Sequence, residues 1–167
     1  MQWGYNSTEK DREFIELSAF SHLKGGYMEL YTSYWAQVRN FPKNIVGLNT
    51  TVWPPKYRPL GQDARGIWVL NCQPLIPGKE CEYLCRGKCD PPHPYDCEFL
   101  KTYRKQLDRI NFDEFYNYMK ELSKKYNNAD FAFIVFEPPT RECSERMVIQ
   151  KWIQDNGHDI KEWHINV

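Results

Sequence analysis

The sequence predicts an α/β domain with a mainly parallel sheet and helices on both of its faces. Three observations carry this. Short β-rich apolar runs alternate along the chain with segments of helical periodicity, the order that builds βαβ units. One run, Phe131 to Phe136, is almost wholly apolar, as expected of a central strand covered on both faces. The length of 167 residues, 41% of them hydrophobic and 26% charged, suits one core, so residues 1–167 are read as a single domain.

Taken in order, Ser7 to Leu23 is helical in pattern. Ser7 or Thr8 serves as a cap, Phe14, Leu17, Ala19 and Phe20 form an apolar face, and Gly25-Gly26 ends the segment. Tyr27 to Tyr34, with Met28, Leu30 and Tyr31, is a β-rich run. A short helix over Trp35 to Asn40 follows, then a second buried strand within Asn44 to Thr51, built on Ile45, Val46 and Leu48. Prolines 54, 55, 59, 74 and 77 break the next stretch, where only Gly66 to Asn71 is strand-like. Gly78 to Asp96 is a loop dense in Cys, Pro and Gly, too long for a plain connection.

Helices are predicted over Cys97 to Gln106 and Asn111 to Tyr126. In the second, Phe112, Phe115, Tyr116, Met119 and Leu122 recur at helical spacing, the mark of a core-facing stripe rather than a cofactor box. Pro138-Pro139 closes the apolar strand, and a helix runs from about Thr140 to Asn156. Gly157 stands where a left-handed helix terminator belongs, and Ile160 to Ile165 reads as a last strand.

Composition narrows the function classes. Basic and acidic residues balance at 22 each, so net charge gives no support to nucleic-acid binding or to an anionic membrane partner. Met1 to Gly26 is polar and charged and does not read as a signal peptide, and no run approaches the roughly 20 apolar residues of a membrane span. A soluble, cytoplasmic chain is expected, in which the acceptor tripeptides at Asn6 and Asn49 carry no meaning. Aromatic residues make up 16%, with 11 Tyr and 6 Trp; they pack core and rim, and some are expected to line a cleft.

Five of the six cysteines lie between Cys72 and Cys97, so residues 72–97 form a cysteine-rich insertion. Cys81, Cys85 and Cys89 are separated by three residues each, and Cys97 follows after seven more. In a reducing compartment such cysteines are thiols or metal ligands rather than disulfides. Four thiolates close a tetrahedral zinc site, and metal binding would order a loop that has few apolar residues to order it. One structural zinc is therefore expected on Cys81, Cys85, Cys89 and Cys97, with Cys72 and His93 as substitutes. An iron–sulfur cluster, or free thiols with or without a disulfide, are the alternatives.

The turn Phe136 to Arg146 joins the most apolar strand to a helix. Ligands of open α/β sheets bind beyond the carboxyl ends of the strands. Glu137 is read there as an acid or base, Cys143 as a nucleophile and Arg146 as an anchor for an anion. Against a reactive Cys143, Glu142 and Glu145 add negative charge that raises a thiol pKa, which leaves a packing cysteine as the other reading. The ends of the first two strands face the same edge, where Ser33, Tyr34 and Asn49 either hold a polar ligand, with Trp53 to stack on it, or cap turns.

These segments resemble a known family. Leu30 to Ala36 with Pro42 to Val46 resembles the opening of the domain of unknown function 488 family. Phe99 to Arg104 with Phe112 to Tyr116 resembles its middle helices, and Phe133 to Glu137, Pro139, Cys143, Trp152 and Asn156-Gly157 its closing strand–helix unit. The resemblance covers about Tyr27 to Trp163 and implies a Rossmann-like, three-layer α/β domain. The family usually carries Cys-His-Arg at the last helix; here Cys143-Ser144-Glu145-Arg146 keeps the cysteine, lacks the histidine and sets the arginine one position late. No acid–base role of that histidine carries over, and the insertion is a further departure.

Two functions of different class are expected from these readings. One is binding or processing of a nucleotide-like or anionic small ligand at the carboxyl edge of the sheet. The other is a non-enzymatic interaction module in a nucleic-acid or defence-related complex, with the cysteine loop and its Tyr83, Arg86 and Lys88 as the contact surface.

Overall fold

The structure, a computed structural model, describes residues 27–84 and 91–165. The helix expected over Ser7 to Leu23, and Cys85, Arg86, Lys88 and Cys89 of the insertion, lie outside the described residues.

Six strands form one mixed, mostly parallel sheet with helices packed on it: β1 (Leu30–Tyr34), β2 (Ile45–Asn49), β3 (Gly61–Gln62), β4 (Trp68–Asn71), β5 (Asp130–Val135) and β6 (Lys161–Glu162). Their spatial order is β3-β4-β2-β5-β1-β6. All neighbours run parallel except β3, which pairs antiparallel with β4, Gly61 opposite Val69. Two residues of strand at a glycine of φ 103° carry no apolar alternation, so the sequence pattern missed β3.

Period-two alternation in β5 divides the interior. Phe131, Phe133 and Val135 face one apolar cluster, whereas Ala132 and Ile134 face the other. The first cluster is covered by three helices, α2 (Glu98–Asp108), α3 (Phe112–Lys125) and α4 (Glu145–Asp155). The α3 stripe packs as its spacing predicts: Phe112 meets Trp152 of α4 edge-on at 5.0 Å, and Phe115 does so at 5.2 Å. On the other face, among the described residues, the four-residue α1 (Trp35–Val38), Phe41 and Trp163 cover Ile45, Val69 and Ile134.

Local chemistry fixes the element ends. The α3 helix is capped by the Asn111 side chain, which accepts from the Glu114 N–H at 3.2 Å. Its exit uses Asn127 and Asn128 at φ 61° and 56°, left-handed values that asparagine tolerates, and Gly157 ends α4 at φ 84°. The last helix starts at Glu145 rather than Thr140, because Ser144 is its cap: Ser144 Oγ accepts from the Arg146 N–H at 3.2 Å. Residues 136–144 are therefore loop, and Cys143 stands before the helix, not on it. In the insertion, 3-10 turns over Lys79–Cys81 and Pro94–Asp96 flank the undescribed stretch.

Candidate functional site

Parallel pairing brings β2, β4 and β5 to a common carboxyl edge, with Asn49 in register with Asn71 on one side and Ile134 on the other. Beyond it, four pieces of chain enclose a cleft of about 500 Å³. They are Val52-Trp53 after β2, the turn from Pro77 to Tyr83, the first residues of α2 with Cys97, Phe99 and Leu100, and the β5–α4 loop with Glu137, Cys143, Ser144 and Glu145. The insertion and the strand–helix turn, separate in sequence, thus open on one space.

Three carboxylates line it, Glu82, Glu137 and Glu145, the last two from the β5–α4 connection and the start of α4. Glu137 leaves the end of β5 and is held from two directions: the Ser144 hydroxyl donates to Glu137 Oε2 at 3.1 Å, and Arg146 Nη2 donates to the Glu137 carbonyl at 2.6 Å. Glu145, the first residue of α4, has its carboxyl pushed up to about 7, by burial first and by the charge of Glu137 second. Its own backbone N–H and Arg146 pull the other way without cancelling this. A carboxyl that exchanges its proton near neutrality is suited to acid–base work.

Thiols form another part of the wall. Cys81 and Cys97 are buried and Cys143 is half-buried, and all three border the cleft. Burial, with the charge of Glu80 next, pushes the Cys81 thiol up. Of the expected metal ligands, these two open on the same cleft, while Cys85 and Cys89 lie outside the described residues. Among the described residues no three His, Cys, Asp or Glu side chains form a metal-sized group. Of the substitutes, His93 is exposed and Cys72 is fully buried in the core, where burial holds its thiol well above the ordinary value.

The residues expected to bind a ligand are placed differently. Ser33 is fully buried and donates to the Trp163 carbonyl at 3.3 Å, while Tyr34 accepts from Gln37 Nε2 at 3.0 Å. Asn49 uses its whole side chain internally: Nδ2 donates to the Thr51 carbonyl and to Asn71 Oδ1, and Oδ1 accepts from the Thr51 N–H and hydroxyl. It shapes the exit of β2, which carries Trp53 to the cleft. Arg146 is 6% exposed, pairs with Glu162 at 2.8 Å and holds the Glu137 carbonyl. None of these four borders the cleft.

Glu145, with Glu82 and Phe99, is among the cleft residues that the sequence pattern does not assign to the site. In the sequence Glu145 stands out only as negative charge near Cys143, and its position next to a serine cap is the available signal. The fold and site together define an α/β domain with a carboxylate- and thiol-lined cleft at the carboxyl edge of a mostly parallel sheet. No family model, no curated protein and no solved structure matches the chain.

Proposed function

We propose that this chain binds a small ligand in the cleft at the carboxyl edge and performs acid–base chemistry on it. The observation that carries this reading is Glu145 next to Glu137: burial first, and the charge of Glu137 second, raise the Glu145 carboxyl to about 7 beside a ligand-sized space. Glu145 is the proton-exchanging group, Glu137 its charged neighbour, and Cys143 the adjoining candidate nucleophile. Trp53, 80% exposed at the rim, offers a flat face, which favours a ligand with a nucleobase-like or otherwise aromatic ring. An anionic group has less support, since Arg146 is engaged within the fold.

The parallel strands and the two apolar layers support a Rossmann-like, three-layer arrangement, with α1 in the second helical layer. Membership of the domain of unknown function 488 family is proposed on the residue resemblance alone. A structural zinc on Cys81, Cys85, Cys89 and Cys97 is likewise proposed: two of these thiols border one cleft from opposite ends of the insertion, and thiolate chemistry suits zinc. Its contribution would be to fold the loop. About one zinc per chain, lost in Cys97→Ser, is the expected metal content; none in the intact chain purified without chelator contradicts it.

Ligand-detected NMR with a library of nucleosides, bases and small metabolites tests the cleft. Hits that shift Trp53 and the 137–145 loop, and are lost in Glu145→Gln or Trp53→Ala, are expected. Hits that persist in both variants and in Cys143→Ser contradict the assignment. A second reading, an interaction module using the cysteine loop, draws on Tyr83 and Tyr95, exposed by 81% and 91% on either side of it. A partner complex that survives Cys81→Ser combined with Tyr83→Ala removes that reading.

A further inference from the structure

We propose that the cleft selects a ligand carrying positive charge on a flat body, such as an aromatic amidine or amine. The inference rests on the cleft being a ligand site and names the class of ligand it takes. Three observations converge. The walls carry Glu82, Glu137 and Glu145, and among the described residues no Lys, Arg or His borders the space. The chain as a whole is neutral, with 22 basic and 22 acidic residues, so this negative wall is a local concentration rather than the sign of the entire molecule. Trp53, Tyr83 and Phe99 line the same space, and the face of an aromatic ring attracts a cation by its quadrupole.

The charges also explain why a cation, rather than a merely neutral ring, completes the site. Burial, and then the charge of Glu137, disfavours ionisation of Glu145, and Arg146 directs its Nε to Glu162 and its Nη2 to the Glu137 carbonyl rather than to either of these carboxylates. A cationic group in the cleft offsets that negative charge at a wall partly withdrawn from water, where charge interactions are less screened. An anion of the same shape meets repulsion from both walls and gains only the aromatic contact.

Benzamidine, benzamide and benzoate test this directly, because they share one shape and differ in charge. Their affinities are measured by NMR titration of the intact chain at neutral pH, with cleft resonances as the readout. Benzamidine is expected to bind about tenfold more tightly than benzamide, with benzoate weakest. The ratio should collapse in Glu145→Gln and in Glu137→Gln, two variants that guard against one failing to fold, whereas Trp53→Ala should weaken benzamidine and benzamide together. Equal binding of all three probes, still sensitive to Trp53→Ala, overturns the charge preference and leaves the cleft a ligand site. Tighter binding of benzoate, a ratio unchanged in both glutamate variants, or no shift of any cleft resonance overturns it as well.

Discussion

Arg146 shows what a buried charge does here. The sequence places it near a strand end, where an anion anchor is a natural reading. In the fold its guanidinium is bonded to Glu162 and to the Glu137 carbonyl, with the Tyr34 ring 5.9 Å away. Glu162 in turn accepts from Thr32 Oγ1 at 2.6 Å, and Gln150 donates to the same hydroxyl. Arg146 thus ties α4 to β6 and fixes the backbone from which Glu137 projects. Removing one partner of a buried pair leaves the other charge unpaired, so Arg146→Ala should lose roughly 3–5 kcal/mol in urea unfolding. Arg146→Met with Glu162→Leu should lose clearly less, because both charges go together. A loss under about 1 kcal/mol in the single variant would mean that the pair is not buried as described.

At the scale of elements, the close approach at Gly47 has the sharpest consequence. A Cβ there would sit 2.6 Å from Ile134 Cδ1 and 3.1 Å from Val69 Cγ2, between the two strands that flank β2. Gly47→Val should destabilise by roughly 1–3 kcal/mol through overpacking, and Gly47→Ala by less, since the end of the Ile134 side chain can yield. Thermal unfolding of the two variants checks the order. Long elements were legible in the sequence for plain reasons: the α3 stripe and the β5 apolar run each express one period over many residues. The start of α4 was not, because Thr140 and Ser144 are both acceptable caps, and the turn closed by the Arg141 N–H on the Pro138 carbonyl at 3.0 Å postpones the helix. That delay puts Ser144 against Glu137 and Glu145 on the cleft wall.

For the molecule as a whole, the cleft joins segments that sequence reading treated as separate problems. That Glu137 and Cys143 border a cleft is legible in the sequence, because they lie on a strand-to-helix turn at a carboxyl edge. The meeting of that turn with Cys81 and Cys97 was not, since it depends on the path of the chain from β4 to α2. No helix among the described residues is long and apolar enough to cross a membrane. Glu145 links the site to global stability. Its folded pKa of about 7 lies above the ordinary 4.5, so between these values the folded chain holds more proton than the unfolded one. The stabilisation is complete below about 4.5 and is lost as pH rises to about 7, roughly 3 kcal/mol in all. Glu145→Gln should flatten that slope in denaturant titrations at stepped pH. Carbon-detected NMR titration of the Glu145 carboxyl, in wild type and in Glu137→Gln, decides whether the cleft holds a proton-exchanging carboxyl tuned by its neighbour. A midpoint near 7 that falls when the Glu137 charge is removed is predicted; a midpoint at the ordinary 4.5, indifferent to Glu137, would contradict it.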